Sequence, residues 1–453
     1  MPSFRGLKLP GFKDETLVDR FLYVAHPPAI ATIPLLQHKG APAKPIVKTG
    51  DKVLLGQKIA ASVGEGSAAV HASVSGEVIA IGPFPHPHLG VAEAIQIKND
   101  GLEMPVGAVP DKDPAKRVDD ELMRIVEEAG LVDLNEEGEP LAAKLKKARA
   151  SGVRTLIVNA CESEPFITAL HVMMVAKSSE IIRGILLAEK LSGATKVIVA
   201  IEDNKLDALE VLGSRLYGFN AARSSAGRAL GPAVPRGRRG AKEIELKRLP
   251  VKYPQGDPAV LVSTLTGCSL DKARDPLTQG VLVLDMATCF ALCEAVYSGK
   301  PLYERVVTVS GQSVARPKNL LVRIGTSLEN VLAECAGILR SPLRVLVGGP
   351  MRGTAQAGLS APITKQTSAL LSLSTEVEYP STPAPCIRCG ACAEVCPAEL
   401  EPAILTLAAE QDEFEIVRDF HISQCIECGN CTYICPSKRP MSSLLKYAKA
   451  GRL

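Results

Sequence analysis

Eight of the thirteen cysteines fall in two short runs of identical spacing near the carboxyl end of the chain. The first run spans residues 386–397, the second spans residues 425–436, and each has the form C-x2-C-x2-C-x3-C-P. The second run follows the first at an offset of 39 residues, and seven of the twelve positions are identical. Cysteine thiolates at this spacing hold iron–sulfur clusters in two-cluster ferredoxins. The runs therefore predict two 4Fe-4S clusters.

Each run is expected to serve both clusters. Three thiolates at x2 spacing wrap a backbone loop around one corner of a cubane, and the cysteine before proline points into the neighbouring cluster. Structural zinc and disulfides are the alternatives, but a zinc site takes four ligands in two pairs rather than two identical quartets ending in proline. The predicted ligand sets are Cys386, Cys389, Cys392 with Cys435, and Cys425, Cys428, Cys431 with Cys396.

A second group of candidate residues follows a predicted buried strand at residues 154–158. The stretch 159–165 has the sequence NACESEP. Carboxylates at the carboxyl end of a sheet strand lie where α/β folds bind ligands. We therefore expect Glu162 and Glu164 to share one side of an extended turn that begins at Asn159. A solvated turn without a ligand is the alternative.

The five cysteines outside the runs are predicted to pack in the core, because free cysteine behaves there as a small hydrophobe. Cys289 and Cys293 are four residues apart on a predicted helix, which leaves pairing between them as the alternative. His86 and His88 are assigned to a loop rather than to a metal site, since a third and fourth ligand cannot be named nearby.

Composition excludes several classes of protein. The chain has 453 residues, 46% apolar and 22% charged, with a formal net charge of +3, which is typical of a soluble globular protein of two to four domains. Aromatic residues are only 4% and Trp is absent, which disfavours nucleic-acid binding. The first residues lack an apolar signal region, so we expect a reducing compartment. The most apolar stretch, 280–296, is interrupted by Asp285 and Glu294 and is too short to span a membrane.

The predicted secondary structure that positions these residues differs between successive parts of the chain. Residues 1–112 show short strands and glycine turns, and they resemble the barrel-sandwich fold of lipoyl and biotinyl carriers. No lysine lies between Lys58 and Lys98, so carrier chemistry is not supported. Residues 113–298 alternate between helix and strand, which predicts a Rossmann-like α/β domain with a parallel sheet.

The remaining chain is predicted to form a smaller module and a helical domain. Residues 299–380 have the order strand, strand, helix, strand, which suits a β-grasp module. After a proline-containing linker, residues 381–453 are predicted to form an α-helical two-cluster ferredoxin domain. Within the α/β domain, residues 221–242 lack periodicity and are predicted to be a basic surface loop, with anion binding or partner docking as the alternative.

Taken with these motifs, the chain resembles the C subunit of the Rnf ion-translocating oxidoreductase, a relative of the flavoprotein subunit of respiratory complex I. The resemblance implies that the α/β domain binds NADH and FMN, that Asn159, Glu162 and Glu164 line the flavin and nicotinamide pocket, and that single electrons pass to the two clusters. Ala160 replaces a glycine of the family motif. The matching stretches are 33–40, 42–43, 70–73, 159–165 with Thr168, 201–205, 252–256, 348–351 and both cysteine runs.

One loop departs from the family pattern. The family has a glycine-rich loop whose backbone N–H groups hold the flavin phosphate, whereas this chain has the sequence AGLVDLNEEGEP over 129–140. Backbone cradles need glycine for close approach and tolerate no adjacent anion. The acidic residues of the loop argue against flavin phosphate binding there; they are Asp133, Glu136, Glu137 and Glu139.

The sequence therefore predicts an iron–sulfur electron-transfer subunit of an Rnf-type complex that relays single electrons through two 4Fe-4S clusters. One alternative is a complete NADH-oxidising flavoprotein, and another is an electron-transfer adaptor of a soluble redox complex without NADH or FMN. The expected partners are the other subunits of a membrane complex and a ferredoxin or similar carrier. The expected location is cytoplasmic, on the inner face of the membrane, with attachment through partner subunits.

Overall fold

The computed structural model describes residues 4–107, 110, 114–135, 137–224, 243–339, 344–374 and 383–450. Within these residues the chain forms two antiparallel sheets, then a parallel sheet with helices, then a mixed sheet and finally a group of helices. This order confirms the predicted multidomain organisation with mixed α/β sheets. None of the described helices is long and apolar enough to cross a bilayer.

Short, half-buried strands build the amino-terminal β module. Its elements are α1 (Asp14–Leu17), β1 (Leu22–Val24), β2 (Ile30–Pro34), β3 (Lys44–Pro45), β4 (Lys52–Val53), β5 (Lys58–Ala61), β6 (Val70–His71), β7 (Gly76–His86) and β8 (Gly90–Asn99). One sheet has the strand order β2-β8-β7-β4, and the other has the order β3-β5-β6. Glycine is required at Gly76, where φ is +148° and an added Cβ would lie 1.9 Å from the Lys98 carbonyl oxygen. The predicted loop at His86 is wrong by one residue, since His86 ends β7 and is buried.

A parallel sheet with order β11-β10-β9-β12 forms the central unit. Its elements are α2 (Asp119–Glu128), α3 (Leu141–Ala150), β9 (Thr155–Asn159), α4 (Ala169–Ala176), α5 (Ser178–Ser192), β10 (Lys196–Glu202), α6 (Leu206–Ser224), β11 (Ile244–Leu249), α7 (Pro258–Thr266), α8 (Leu270–Ala273), β12 (Val281–Asp285) and α9 (Met286–Ser298). Leu156 and Val158 of β9 face one core and Ile157 faces another, so both faces of the sheet are covered. The predicted alternation of helix and strand around a parallel sheet is confirmed here, and the predicted strand 154–158 corresponds to β9.

Close packing of two helices sets the geometry beside β12. An added Cβ at Gly184 in α5 would lie 1.7 Å from the carbonyl oxygen of Cys289 in α9, so this crossing needs glycine. The helices on this face bring the amino terminus of α9 to the carboxyl end of the sheet. The predicted surface loop 221–242 is wrong at its start, because α6 continues to Ser224. The rest of that loop, 225–242, lies outside the described residues.

A mixed sheet with order β1-β14-β13-β17-β15-β16 follows. Its own elements are β13 (Glu304–Ser310), β14 (Lys318–Arg323), α10 (Leu328–Glu334), β15 (Arg344–Val347), β16 (Thr354–Ala355) and β17 (Ala369–Leu373). The amino-terminal strand β1 pairs parallel with β14, so a segment from the start of the chain completes this sheet. The order strand, strand, helix, strand agrees with the sequence prediction.

Helices form the carboxyl-terminal unit, as predicted. They are α11 (Ala391–Glu394), α12 (Pro402–Glu410), α13 (Phe414–Asp419), α14 (Asn430–Ile434) and α15 (Met441–Ala450). Cysteines of both runs pack with Leu405, Val417 and Leu445 in one shared core. The proline linker before this unit lies partly outside the described residues, which resume at Pro383.

Candidate functional site

A cavity of about 730 Å³ lies at the carboxyl ends of β9 and β12. We call it the central cavity. Its walls include residues within 134–139, residues within 253–259 and residues 425–427 of the second cysteine run. A ligand bound in this cavity would therefore contact both the sheet edge and a loop of the second run.

Asn159 holds the turn after β9 in place. Its side-chain nitrogen donates to the carbonyl oxygen of Gly256 at 2.8 Å, and its side-chain oxygen accepts from the N–H of Cys161 at 3.1 Å. The side chain is buried and lines the central cavity. Both polar atoms of its amide are engaged by the protein, so the residue shapes the wall of the cavity.

The carboxylate of Glu162 is hydrogen-bonded to a helix. Its carboxylate accepts from the N–H of Leu170 at 2.8 Å and of His171 at 3.4 Å, and it therefore caps the first turn of α4. Its own N–H donates to the Glu202 carboxylate at 3.1 Å, and the Lys13 ammonium donates to its carbonyl oxygen. Glu162 is 6% exposed. Glu162 and Glu164 both line the central cavity, but their carboxylates contact different elements, since that of Glu162 accepts from α4 and that of Glu164 accepts from Met351.

Glu164 faces the mixed sheet and the second cysteine run. Its carboxylate accepts from the N–H of Met351 at 3.1 Å and lies 3.4 Å from the Tyr253 hydroxyl. That hydroxyl donates to the carbonyl oxygen of Cys428 at 2.7 Å, which is the stronger contact. An added Cβ at Gly349 would lie 2.3 Å from the Glu164 carboxylate, so glycine is needed for this approach.

Arg352 makes a second connection between the cavity and the same run. Its guanidinium donates to the Asp257 carboxylate at 2.7 Å and to the carbonyl oxygen of Ile426 at 3.0 Å. Asp257 also caps α7 by accepting from the N–H of Ala259 at 3.0 Å. Together with Tyr253, this contact fixes the loop 425–428 against the wall of the central cavity.

Asp133 fills the space at the amino terminus of α9 with a carboxylate of this chain. It has no exposed surface and accepts from the N–H of Asp285 at 3.1 Å and from the Thr288 hydroxyl at 2.7 Å. The Lys144 ammonium lies 2.6 Å from its other oxygen. Burial lowers the pKa of Lys144, but the Asp133 charge and hydrogen bond raise it by more, so the net shift is upward. Helix amino termini favour anions, and that of α9 is capped by Asp285, whose carboxylate accepts from the N–H of Ala287 at 2.8 Å, with the Asp133 carboxylate beside it.

Half-buried Asp285 and buried Arg305 lie near Asp133, and both have shifted pKa values. Burial raises the pKa of Asp285 to about 7, although the nearby Arg305 charge opposes the shift. Arg305 donates to the carbonyl oxygens of Thr367 at 3.1 Å and Leu134 at 3.0 Å. Burial lowers the pKa of Arg305, and the neighbouring charges of Asp285 and Asp133 offset this shift only in part.

The charges of the central cavity do not fit the flavin phosphate that the resemblance implies. A phosphate monoester carries nearly two negative charges at neutral pH. Of the described residues that line the cavity, ten are acidic and six are basic. Lys144 is paired with Asp133, and Arg352 and Lys449 are paired with the wall carboxylates of Asp257 and Glu427. Glu137 and Glu139 stand on the wall itself. Glu136 lies outside the described residues.

The cysteines of the two runs line two small cavities, four to each. Cys386, Cys389, Cys392 and Cys435 line one, and Cys396, Cys425, Cys428 and Cys431 line the other. In each case the fourth cysteine comes from the opposite run. Among the described residues, no three metal-binding side chains come close enough to hold a single ion. Two sulfurs on one zinc lie about 3.8 Å apart, whereas a four-iron cluster needs them farther apart.

The donor set of each small cavity suits a 4Fe-4S cluster. Four thiolates are the ligands that such clusters take. Burial raises the pKa of the Cys428 thiol to about 12, and a metal that binds a cysteine takes it as the thiolate. Four of the remaining cysteines are buried as predicted, namely Cys161, Cys289, Cys293 and Cys335, and Cys268 is half-buried. All five are free thiols, so the alternative of a Cys289–Cys293 pair is not observed.

Sequence reasoning missed Tyr253, Arg352 and Arg305 as parts of the site. In the sequence, Tyr253 and residues 348–351 lie in stretches that match the family, but no role in the site could be assigned to them. Their roles depend on contacts across at least 62 residues of sequence, the separation between Arg305 and Thr367, and no local spacing predicts those contacts.

Comparison with family models gives the class of protein. Residues 3–102 match the RnfC barrel sandwich hybrid domain, and residues 126–294 match the Nuo51 FMN-binding domain. Residues 306–355 match the SLBB domain, and residues 385–438 match the 4Fe-4S dicluster domain. The fold and the cysteine cavities thus define a multidomain iron–sulfur protein of electron transport.

Individual relatives identify the family within this class. The chain is 35% identical to the C subunit of the proton-translocating ferredoxin:NAD(+) oxidoreductase complex of Clostridium ljungdahlii, over 99% of this chain and 94% of the relative. It is 34% identical to the C subunit of the Na(+)-translocating ferredoxin:NAD(+) oxidoreductase complex of Acetobacterium woodii, over 99% and 96%. The chain belongs to the family of Rnf complex C subunits, as its motifs predicted.

Solved structures share the fold. A chain of the NAD+-reducing NiFe-hydrogenase in the H2-reduced state has a TM-score of 0.52 and 18% identity, over 76% of this chain and 62% of that chain. A chain of the same type of enzyme in the air-oxidised state has a TM-score of 0.50 and 20% identity, over 68% and 55%. At these identities the likeness concerns the fold alone.

Proposed function

We propose that this chain is the iron–sulfur electron-transfer subunit of an Rnf-type ion-translocating oxidoreductase. The observation that carries the proposal is the grouping of eight cysteines in two four-cysteine cavities, each completed by the opposite run. When bound, 4Fe-4S clusters accept and release one electron at a time. The proposed ligands are Cys386, Cys389, Cys392 with Cys435, and Cys425, Cys428, Cys431 with Cys396.

The surrounding residues hold these ligands in place. Tyr253 and Arg352 donate to carbonyl oxygens of the second run, at Cys428 and Ile426. Asn430 donates from its side chain to the carbonyl oxygen of Val395 at 3.2 Å, which links the two runs directly. These contacts support a rigid relay, and rigidity limits the reorganisation that accompanies electron transfer.

The complete NADH-oxidising flavoprotein is the second candidate. The match of residues 126–294 to the Nuo51 FMN-binding domain and the volume of the central cavity favour it. In that case Asn159, Glu162 and Glu164 would line the ligand pocket. The excess of carboxylates and the position of Asp133 disfavour it, so we assign the electron-relay function to the clusters alone.

The same proposal includes the assignment of domains and the location of the chain in the cell. We assign residues 1–112 to the barrel-sandwich module, 113–298 to a Rossmann-like domain, 299–380 to a β-grasp module and 381–453 to the dicluster domain. The strand order β11-β10-β9-β12 supports the Rossmann-like assignment. As part of a complex with other subunits, the chain would lie on the inner face of the membrane and exchange electrons with a ferredoxin-type carrier.

Anaerobic iron and acid-labile sulfide analysis after reconstitution tests the function. We expect about eight iron and about eight sulfide per chain, and reduction by dithionite should bleach the visible absorption of the clusters. A chain that holds stoichiometric zinc and no sulfide would refute the proposal. So would a chain whose clusters dithionite cannot reduce.

A further inference from the structure

The loops of the two cysteine runs, residues 386–389 and residues 425–428, have similar backbones but different surroundings. Arg388 and Glu427, at equivalent positions, have φ of 54° and 55°. The exposed fraction of Ile387 is 66%, whereas its counterpart Ile426 is half-buried. Because the loops share one local shape, the difference in exposure comes from the parts of the chain that cover the second loop.

Arg352 brings a guanidinium charge to the second loop. Its guanidinium donates to the carbonyl oxygen of Ile426 at 3.0 Å and to the Asp257 carboxylate at 2.7 Å. The Arg352 side chain is 16% exposed and that of Asp257 is 9% exposed. Water therefore screens this ion pair only weakly, and its charges act on nearby groups more strongly than surface charges do.

The ion pair has its positive end toward the cluster cavity of the second run. Ile426, whose carbonyl oxygen Arg352 contacts, lines that cavity. The Asp257 carboxylate serves α7 instead, where it accepts from the N–H of Ala259 at 3.0 Å and of Val260 at 3.3 Å. The guanidinium thus contacts the loop that holds the cluster ligands, while the carboxylate contacts a helix outside it.

The other charged groups beside the second loop are more nearly balanced. The Lys449 ammonium donates to the carbonyl oxygen of Cys425 at 3.1 Å and to the Glu427 carboxylate at 2.6 Å, and Glu427 belongs to the loop itself. These two side chains are also more exposed, at 26% and 35%. The Glu164 carboxylate lies behind the neutral hydroxyl of Tyr253. Arg352 is therefore the group whose charge acts on the cluster with least compensation.

We propose that Arg352 raises the reduction potential of the cluster held by Cys425, Cys428, Cys431 and Cys396. The inference rests on the proposed function and adds to it a residue that sets the potential of one cluster. Reduction adds one electron, with no bond formed or proton transferred, and makes the cluster one unit more negative. A nearby cation stabilises that product more than the oxidised cluster. Burial has the opposite effect, so Arg352 offsets the low polarity around this cluster.

Redox titration of the reconstituted chain, followed by electron paramagnetic resonance, tests the proposal by giving one midpoint potential for each cluster. The midpoint that persists in Cys396→Ala belongs to the first run. We expect Arg352→Gln to lower the equilibrium constant for reduction of the other cluster about tenfold, which is a fall of about 59 mV in its midpoint. Arg352→Lys keeps the charge and should stay within about threefold of wild type.

Asp257→Asn should shift the same midpoint in the opposite direction. This change removes the negative end of the ion pair and leaves an amide oxygen that can still cap α7. We expect the equilibrium constant for reduction to rise about threefold or more. Both variants break the ion pair, so a purely structural role would move the potential in one direction in both. Arg124→Gln, at an exposed position of α2, is the control and should move neither midpoint.

Equal midpoints in wild type and Arg352→Gln would overturn the proposal. Shifts of the same sign in Arg352→Gln and Asp257→Asn would also overturn it, as would equal shifts of both clusters. If Arg352→Gln fails to assemble the second-run cluster, Asp257→Asn decides, because an unchanged or lower potential there contradicts the proposal. A wild-type chain without reducible iron–sulfur clusters would instead overturn the proposed function itself.

Discussion

Cys396 belongs to the first cysteine run in sequence but lines the small cavity of Cys425, Cys428 and Cys431. Cys435 shows the reverse arrangement, because it lines the cavity of the first run. A ligand shared across runs makes each run depend on the other. Removal of Cys396 or Cys435 should therefore affect the cluster of the other run, although each cysteine lies in sequence beside the ligands of its own run.

Cys396→Ala should therefore lower the iron content from about eight to about four atoms per chain, with loss of the cluster beside Cys425. Adding Cys428→Ala should then change little, whereas adding Cys389→Ala should remove the remaining iron. Iron analysis and electron paramagnetic resonance of the reduced proteins measure both effects. Cys268→Ala, outside both runs, is the control. If Cys389→Ala adds nothing to Cys396→Ala, the proposed ligand sets are wrong.

Asp133→Asn should destabilise the protein because Lys144 would keep a mostly buried charge without its partner. Breaking a buried ion pair by neutralising one member costs about 3 kcal/mol or more. The free energy of unfolding in urea measures the change. Glu137→Gln is the matched control, since Glu137 pairs with Lys39 while its side chain is 65% exposed; we expect a change below about 0.5 kcal/mol. Equal effects of the two variants would show that the ion pair between Asp133 and Lys144 does not stabilise the protein.

Among the elements, the loop between α2 and α3 decides which ligands the central cavity accepts. Its residues Glu137 and Glu139 line the cavity and Asp133 occupies the amino terminus of α9. The carboxylates of Glu137, Glu139 and Asp133 repel a phosphate group that approaches this loop. The apolar residues of the loop, Leu131, Val132 and Leu134, are buried in the same core as the surrounding helices and strands, which fixes the position of the loop.

The isolated protein should consequently contain little FMN, and NADH should not bleach its clusters. Hydride transfer needs a two-electron acceptor, which an iron–sulfur cluster is not. Acid extraction with fluorescence detection and anaerobic titration with NADH measure the two properties, with dithionite as the positive control. Stoichiometric FMN together with NADH-dependent bleaching would instead favour the flavoprotein. Loss of that bleaching in Glu164→Gln would then place its pocket.

Regular elements could be predicted from sequence, whereas the side-chain directions in the site could not. Helix α5 follows from its apolar periodicity and from Gly193, whose φ of 78° ends it. The turn after β9 follows from its place after a buried strand. Glu162 turns toward α4 because unpaired N–H groups of that helix need an acceptor, and Glu164 turns toward Met351. Such choices depend on distant backbone groups that local sequence does not specify.

At the scale of the whole molecule, attachment to a membrane should require partner subunits. None of the described helices can span a bilayer, and the basic helix α3 buries its apolar residues Leu141 and Leu145 in the core, where they cannot bind lipid. Flotation with protein-free anionic liposomes should leave the chain in the unbound fraction at physiological salt. Tight binding that resists high salt would contradict this expectation.

Lys365 joins three parts of the molecule at one buried point. Its ammonium donates to the carbonyl oxygens of Ala69 in the β module and of Gly130 beside α2, both at 2.8 Å. Its N–H donates to the Gln37 side chain at 3.1 Å. Burial lowers the pKa of Lys365 to about 7, and a neutral amine still has two N–H donors for the two carbonyls. Both hydrogen bonds of the junction can therefore persist when Lys365 loses its proton.

The lowered pKa of Lys365 determines whether the free energy of unfolding rises or falls with pH. Between pH 7 and about 10 the unfolded chain keeps a proton on Lys365 that the folded chain has released, so stability rises with pH. Relative to Lys365→Met, the free energy of unfolding of the wild type should increase by about 2 kcal/mol from pH 7 to pH 9. Urea unfolding at the two pH values measures this difference, in which contributions of other groups cancel. The exposed Lys52, replaced by methionine, is the control and should change stability by less than about 0.5 kcal/mol at either pH. A difference between wild type and Lys365→Met that stays constant or falls would show that Lys365 remains charged at the junction.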